Sequence, residues 1–413
     1  MMADKPRLLI LSAVYPFPRN AGQQQRVFYT LKALRENFHL TFLTIAQKKD
    51  ISKIERELLE ICDAALVLPS LYLGHWWRRG FHKVVGTVFT FFLGLKFSNY
   101  LIGEVEFSSK RLAPILDSLS FDGVLYEYWH AFKTAPLFRQ RGIPTILDMH
   151  DILWRSYARQ LDARKGLPGW LKKMRINQYR VREESAWRVF DMLIAINHDE
   201  YDYARQRVMD GIKIFYVPMG TDIAVWPYCW RPASPPRIAY YGGLGSPHNQ
   251  QDALLCYQKV MPLIWLEYPD AEFWVVGSDP PDFIKTLTND KRVCVTGFLE
   301  QVQDVLNTMS LVLCPWSGTY GFRSRVIEVM ALGIPVVASE DAVFGMGFKI
   351  GEGIFLGKTP QEMAQISLKL LSDDNYAKTH SGLGRLQIEK EFSFEATYKK
   401  FSKELLSSIN RKN

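Results

Sequence analysis

The sequence predicts an α/β protein built from two doubly wound domains, and three observations predict it. Apolar runs that read as strands alternate with segments of helical spacing along most of the chain. A proline-rich stretch, 226–237, divides it, and a fresh strand, glycine loop and helix begin directly afterwards. The 413 residues, 47% hydrophobic and 23% charged, suffice for two or three full cores.

Residues 7–14 are apolar at nearly every position, as in a strand covered on both faces. The start mimics a secretory leader, but no small-x-small cleavage site follows and Pro16 and Pro18 interrupt it, so it reads as a first buried strand. A loop at 15–22 leads to helical spacing at Val27, Leu31 and Leu34, then to a strand at 39–45. This is a βαβ unit of a parallel sheet, whose ligands gather at the C-terminal strand ends. Gly22 and Arg26 therefore lie on a functional rim. Residues 76–97, WWRRGFHKVVGTVFTFFLGLKF, hold an uncharged apolar run of 12 residues, 84–95. A membrane span needs roughly 17 to 25. Arg78, Arg79, Lys83 and Lys96 flank the run, so the segment is either a buried element with basic edges or a patch docking on anionic lipid.

Residues 121–127 read as another strand, with Tyr128, Trp129 and His130 on its rim. A strand from 145 ends in the polar tip Asp148, His150, Asp151. Asp148 and Asp151 are three apart without a third ligand, so no metal site is expected. Residues 171–190 read as a basic helix with a mostly solvated charged face, 191–196 as a strand, Asn197 as a helix cap, and 214–218 as the last strand of this half. Beyond the linker come a strand at 237–241, the loop Gly242-Gly243-Leu244-Gly245, a helix at 246–268 and a strand at 272–276 ending at Gly277. A strand at 293–297 precedes Phe298. Residues 349–356 give a last strand and 359–371 a helix before the basic terminal helix.

The stretch 314–339, CPWSGTYGFRSRVIEVMALGIPVVAS, is the most informative. A strand end meets a loop with Gly318 and Gly321, and a helix begins near Arg323. Unpaired N–H groups and the helix dipole there suit an anion, and Arg323 and Arg325 add charge. Arg325 and Glu328, three apart, share a face. Phosphates near the arginines and a ribose diol on the carboxylate would fit a nucleotide diphosphate. The alternative is a solvated ion pair beside a plain connection.

Gly321, Arg323, Arg325, Glu328, Ala331, Gly333, Pro335, Val336 and Val337 resemble the donor-site signature of glycosyltransferase family 4, the retaining GT-B enzymes. Arg325 stands where Lys is usual, and Tyr320 where some members carry a glutamate. Met219-Gly220-Thr221-Asp222 resembles the family's Asn-Gly-Val-Asp corner, with Met219 replacing Asn. The resemblance implies two Rossmann-like domains facing across a cleft: 1–225 on the acceptor side, 238–394 binding the donor, and 395–413 crossing back. It implies catalytic roles for His150, Arg323, Arg325 and Glu328. It also implies donor binding by Gly22, Gly242, Gly243, Gly277, Phe298, Gly318, Thr319, Tyr320, Gly321 and Phe322, and an acceptor side at Arg26, His130 and Asp151. The implied chemistry is retaining transfer from a nucleotide-diphosphate sugar to a glycan or lipid-linked acceptor, without cofactor or metal. A catalytically degenerate nucleotide- or membrane-binding protein and a sugar-nucleotide epimerase are the alternatives.

Net charge of +8 suits an anionic partner, such as a nucleotide or a phospholipid surface. Nothing resembles a nucleic-acid-binding motif, so nucleic acid is not expected. No GxGxxG follows the first strand of either half, which argues against a nicotinamide dehydrogenase. Five scattered cysteines without CxxC point to a reduced, cytoplasmic setting, with a peripheral position on the inner face of the plasma membrane if 76–97 docks there.

Overall fold

The apolar runs become the strands of two separate, all-parallel sheets. The computed structural model describes residues 5–19, 21–72, 85–86, 88, 92, 97–162, 164, 166–318 and 321–410. Residues Met1–Pro218 with Tyr398–Asn413 form unit 1, and Met219–Thr397 form unit 2.

In unit 1 the strands are β1 Arg7–Leu11, β2 His39–Ala46, β3 Ala64–Pro69, β4 Gly123–Glu127, β5 Thr145–Asp148, β6 Met192–Ala195 and β7 Lys213–Tyr216. Their order is β3-β2-β1-β4-β5-β6-β7. Leu8, Leu9 and Ile10 have no exposed surface, as a strand covered on both faces requires. The order reverses between β1 and β4, so their C-terminal ends flank a switch point, where doubly wound sheets bind ligands. The register sets Glu127 of β4 against Asp148 of β5, which puts two acidic residues side by side at that rim. The helix Lys400–Asn410 also packs in unit 1, with Phe401 edge-on to Phe215 and Ser402 bonded to Asn37.

In unit 2, β8 Arg237–Tyr241, β9 Glu272–Val276, β10 Val293–Gly297, β11 Leu311–Cys314, β12 Val336–Ala338 and β13 Ile354–Leu356 take the order β10-β9-β8-β11-β12-β13. The switch point lies between β8 and β11, and the signature helix, Ser324–Ala331, follows β11. The helix expected at 246–268 is Pro247–Leu255 and Met261–Glu267, joined by a π turn at Cys256–Val260. Pro262 lacks an N–H and cannot donate to the preceding turn, so the ladder shifts there.

Two expectations change. Residues 226–237 are not a free linker: the N–H groups of Cys229, Arg231 and Ala233 donate to the carbonyls of Leu332, Asn307 and Thr308, strapping the segment to unit 2. Gly333, at φ +89°, has no room for a side chain because this strap brings the Tyr228 ring against it. The helix Gly169–Trp187 is not simply solvated on its charged face, since Glu183 is wholly buried. Its carboxylate accepts from the N–H groups of Leu153 and Trp154 at 2.9 and 2.7 Å, capping the helix Leu153–Asp162 from outside. Burial raises that carboxyl to about 8, against the pull of the two N–H groups.

Candidate active site

At the unit 2 rim, β8 ends at Tyr241 beside Val276 of β9, which sets Gly242 against Gly277. The Gly242 N–H donates to the Val276 carbonyl. A Cβ on Gly277 would lie 1.9 Å from the Gly242 carbonyl oxygen, so only glycine allows this approach. Asn249 Nδ2 and Gln250 Nε2, in the first turn of the next helix, donate to the carbonyls of Gly243 and Leu244, both at 2.7 Å, and fix the loop. Arg325 reaches the same place: its Nη2 lies 3.5 Å from where a Cβ on Gly243 would stand.

Glu328 is buried and accepts a hydrogen bond from the Tyr241 hydroxyl at 3.1 Å. The Arg325 guanidinium lies 5.4 Å from the centre of the same tyrosine ring. Burial raises the Glu328 carboxyl, while Arg325 and the Tyr241 bond pull it back. Arg325 and Glu328 are therefore not a solvated pair. Among the described residues Arg325 joins no ion pair, and Tyr241 bridges the two side chains. Arg323 Nη2 donates to the Gly318 carbonyl at 3.3 Å, and its guanidinium lies 5.4 Å from the Trp316 ring centre. Nearby, burial raises Asp252 to about 6, with Arg323 opposing. The helix Ser324–Ala331 has no side-chain cap at its start. The Gly318 N–H is not an open donor, because it donates to Asp341 Oδ2 at 2.8 Å. Gly321 is left-handed at φ +65°, and Phe322 is half-buried behind it. Phe298 is 74% exposed just past β10. Thr319 and Tyr320 lie outside the described residues.

In unit 1 the rim residues are packed and paired. His150 Nε2 meets Glu127 Oε2, with both side chains buried. The His150 N–H donates to Asp148 Oδ1 at 3.2 Å, while Arg26 Nε donates to Asp148 Oδ2 at 2.7 Å. Arg26 Nη1 also donates to the Val217 carbonyl. Arg26 is 2% exposed and bound to Asp148, which corrects its reading as a side chain facing an acceptor. Tyr128 and His150 are both left-handed, at φ +69° and +58°, and their rings stack 4.2 Å apart. Two strained non-glycine residues are thus locked together at the switch point. Burial raises the Glu127 carboxyl and the neighbouring His150 lowers it.

Asp148 does have near partners of metal-ligand type. Atoms of Glu127, Asp148 and His150 lie within 4.8 Å of one another. Both Asp148 oxygens are already committed, however, and the Arg26 guanidinium stands where a cation would bind. Asp151 accepts from Ser156 Oγ at 2.8 Å and is hydrogen-bonded to buried Glu200, which burial and Asp151 together hold well above its usual range. His130 packs beside Tyr128 and Trp129. Gly22 opens the helix Gly22–Leu34 with empty space around it. Sequence reasoning missed the partnerships of Glu127, Tyr241 and Glu183. Glu127 offered a signal, an acidic strand end beside another, but no local spacing gives the partner of Tyr241 or Glu183. Of the segment 76–97, only 85, 86, 88, 92 and the backbone of 97 are described, so that reading lies outside the described residues.

Two parallel, doubly wound sheets with interleaved helices, each with a built switch point, define an α/β protein of the GT-B class. Solved structures agree. Sucrose-phosphate synthase from Thermosynechococcus elongatus matches with a TM-score of 0.67 and 16% identity, covering 99% of this chain and 100% of that one. HepE of Anabaena, in complex with UDP-glucose, matches with a TM-score of 0.61 and 15% identity over 98% and 100%. Residues 235–373 match the family model of Glycosyl transferases group 1. A phosphatidyl-myo-inositol mannosyltransferase from Propionibacterium freudenreichii is 27% identical over 161 residues, 37% of this chain. The match spans 39% of that relative's length.

Proposed function

We propose that the protein is a retaining glycosyltransferase that moves a sugar from a nucleotide-diphosphate sugar to a glycan or lipid-linked acceptor, in cell-surface polysaccharide or glycolipid synthesis. One observation carries the reading: Arg325, buried Glu328 and the glycine-lined backbone of Gly242, Gly243 and Gly277 converge on the unit 2 rim. The glycines let a diphosphate approach the main chain. Arg325, Arg323 and the uncapped helix start would offset charge building on the departing β-phosphate. Glu328 would take the ribose diol, and exposed Phe298 the base. His150, held by Glu127, Tyr128 and Asp148, would bind a sugar hydroxyl of the donor. As the C–O bond to phosphate breaks, the acceptor oxygen bonds to the same face of the anomeric carbon and its proton passes to the leaving phosphate. No metal is needed in this scheme, since arginine charge does that work. The family, the mannosyltransferase relative and the UDP-glucose complex of HepE support the reading.

We also infer a cytoplasmic protein that contacts an anionic membrane surface through 76–97 and has no nucleic-acid partner. Val88 and Phe92 are exposed there, as are Trp170 and Val181 beside Lys172, Lys173 and Arg180 on the helix Gly169–Trp187. No described helix is long and apolar enough to cross a membrane.

Incubation with UDP-, GDP-, ADP- and dTDP-sugars tests the assignment. One donor is expected to hydrolyse slowly without acceptor, releasing sugar with the donor's anomeric configuration by early-time NMR. Release with inverted configuration removes the retaining mechanism. Epimerised donor makes the protein an epimerase. A nucleotide that binds but is never cleaved favours a non-catalytic binder, a reading that the engaged Gly318 N–H and Met219 would suit.

A further inference from the structure

Unit 1 contains a cavity of about 430 Å³ at the C-terminal ends of β1 and β4, its switch point. Leu11, Ile102, Phe107 and Leu153 supply apolar wall. Gln23, Asn99, Ser156 and Gln160 supply amides and a hydroxyl. Tyr157 and Tyr179 line it with rings stacked 4.9 Å apart. In a chain with 51 Lys and Arg, no described lining residue is either. Arg159 donates to Ser156 Oγ, and Arg164 and Arg175 act on the Tyr157 hydroxyl electrostatically, but none of the three lines the cavity.

The ionisable groups in the wall are Glu127, Asp151, His130 and the tyrosines. Glu127 is bound to His150. Asp151 is bound to Ser156 and Glu200. The Tyr157 hydroxyl and Glu127 Oε1, buried polar atoms of the wall, have no hydrogen-bond partner among the described residues. Both residues are only 5% exposed. One donates and the other accepts, and buried polar groups are normally satisfied. A sugar hydroxyl can donate and accept, so a single ring can serve both atoms. A phosphate only accepts, and here it would meet carboxyl groups with no lysine or arginine in the described wall.

We propose that this cavity binds the acceptor as an uncharged sugar ring, anchored by the Tyr157 hydroxyl and Glu127 Oε1, and not as a phosphate-bearing headgroup. The proposal rests on reading unit 1 as the acceptor side. Saturation-transfer NMR on the full chain tests it without nucleotide. The neutral probes are methyl α-glucoside, methyl α-mannoside and methyl α-galactoside, and the anionic probe is glucose 1-phosphate. At least one neutral probe shows saturation transfer and the phosphate shows none. Tyr157→Phe keeps the ring stack and weakens the neutral signal by about fivefold, the scale of one lost hydrogen bond. Gln23→Ala, at the exposed start of its helix, gives a second reading if Tyr157→Phe folds poorly, and it too weakens the signal. Three results overturn the proposal: a stronger phosphate signal, silence from every probe, or a neutral signal untouched by both substitutions. Titration with nucleoside diphosphates keeps the two readings apart. Glycoside binding without any nucleotide binding removes the enzyme and leaves the neutral cavity; nucleotide binding without glycoside binding does the reverse.

Discussion

At the rim of unit 1 the ionisable groups are engaged with one another and largely buried: Arg26 with Asp148, His150 with Glu127, Asp151 with Glu200. At the rim of unit 2, Arg325 is half-exposed over a glycine loop and joins no ion pair among the described residues. One doubly wound scaffold thus serves two electrostatic purposes. Paired, desolvated ions hold geometry but have little charge left for a ligand. A half-exposed guanidinium outside any ion pair, beside a glycine loop, suits an anion. Under the proposed function, the contrast would separate a frame that presents neutral hydrogen-bonding groups from a site that offsets phosphate charge.

The contrast breaks most visibly at Arg26. Arg26→Ala strands Asp148, itself 1% exposed, and unit 1 loses about 3–5 kcal/mol in urea denaturation. Replacing both partners by apolar residues, Arg26→Met with Asp148→Leu, recovers most of that loss. A cost for Arg26→Ala near zero would remove the frame. In unit 2 the effect moves from stability to rate. Arg325→Ala lowers transfer about a hundredfold, the scale of one lost transition-state donor. Its stability stays within about 0.5 kcal/mol of the parent. Arg325→Lys keeps the charge and much of the rate.

Proton linkage sharpens the same contrast. Glu183 titrates at about 8 when folded against an ordinary 4.5, so between those values the folded state holds a proton that the unfolded chain has released. Stability therefore falls as pH rises across that window and is flat below it. Glu127 and Glu200, also raised, act in the same direction. Calorimetry should show the unit 1 transition dropping by about 10 °C across the window, and Glu183→Gln should flatten the slope. The smallest effect belongs to Gly22→Ala. An added methyl meets nothing within 4 Å, so stability changes by less than about 0.5 kcal/mol, and any loss of transfer reports a ligand approaching that surface.

Much of this was legible in the chain because it is local. The run 237–241 became β8 with those bounds, Asn197 caps its helix through Glu200 N–H, and Arg325 and Glu328 do share a helix face. What stayed illegible is long-range. Tyr241 meets Glu328 across 87 positions, and Glu183 caps a helix 30 residues upstream from within a charge-rich segment. Strand β3, half-buried at the sheet edge, carries a weaker pattern than the central strands. Prolines at 227–236 suggested a tether, yet the N–H groups between them tie that stretch down.

Calorimetric titration of the full chain with UDP, GDP, ADP and dTDP tests the central claim, that the unit 2 rim grips a nucleoside diphosphate. One of the four binds, and Arg325→Ala and Glu328→Ala each weaken it at least about tenfold, as loss of a charge-assisted contact should. Tyr157→Phe leaves that affinity unchanged. The account is contradicted if none of the four binds at millimolar concentration, or if both unit 2 variants bind as tightly as the parent.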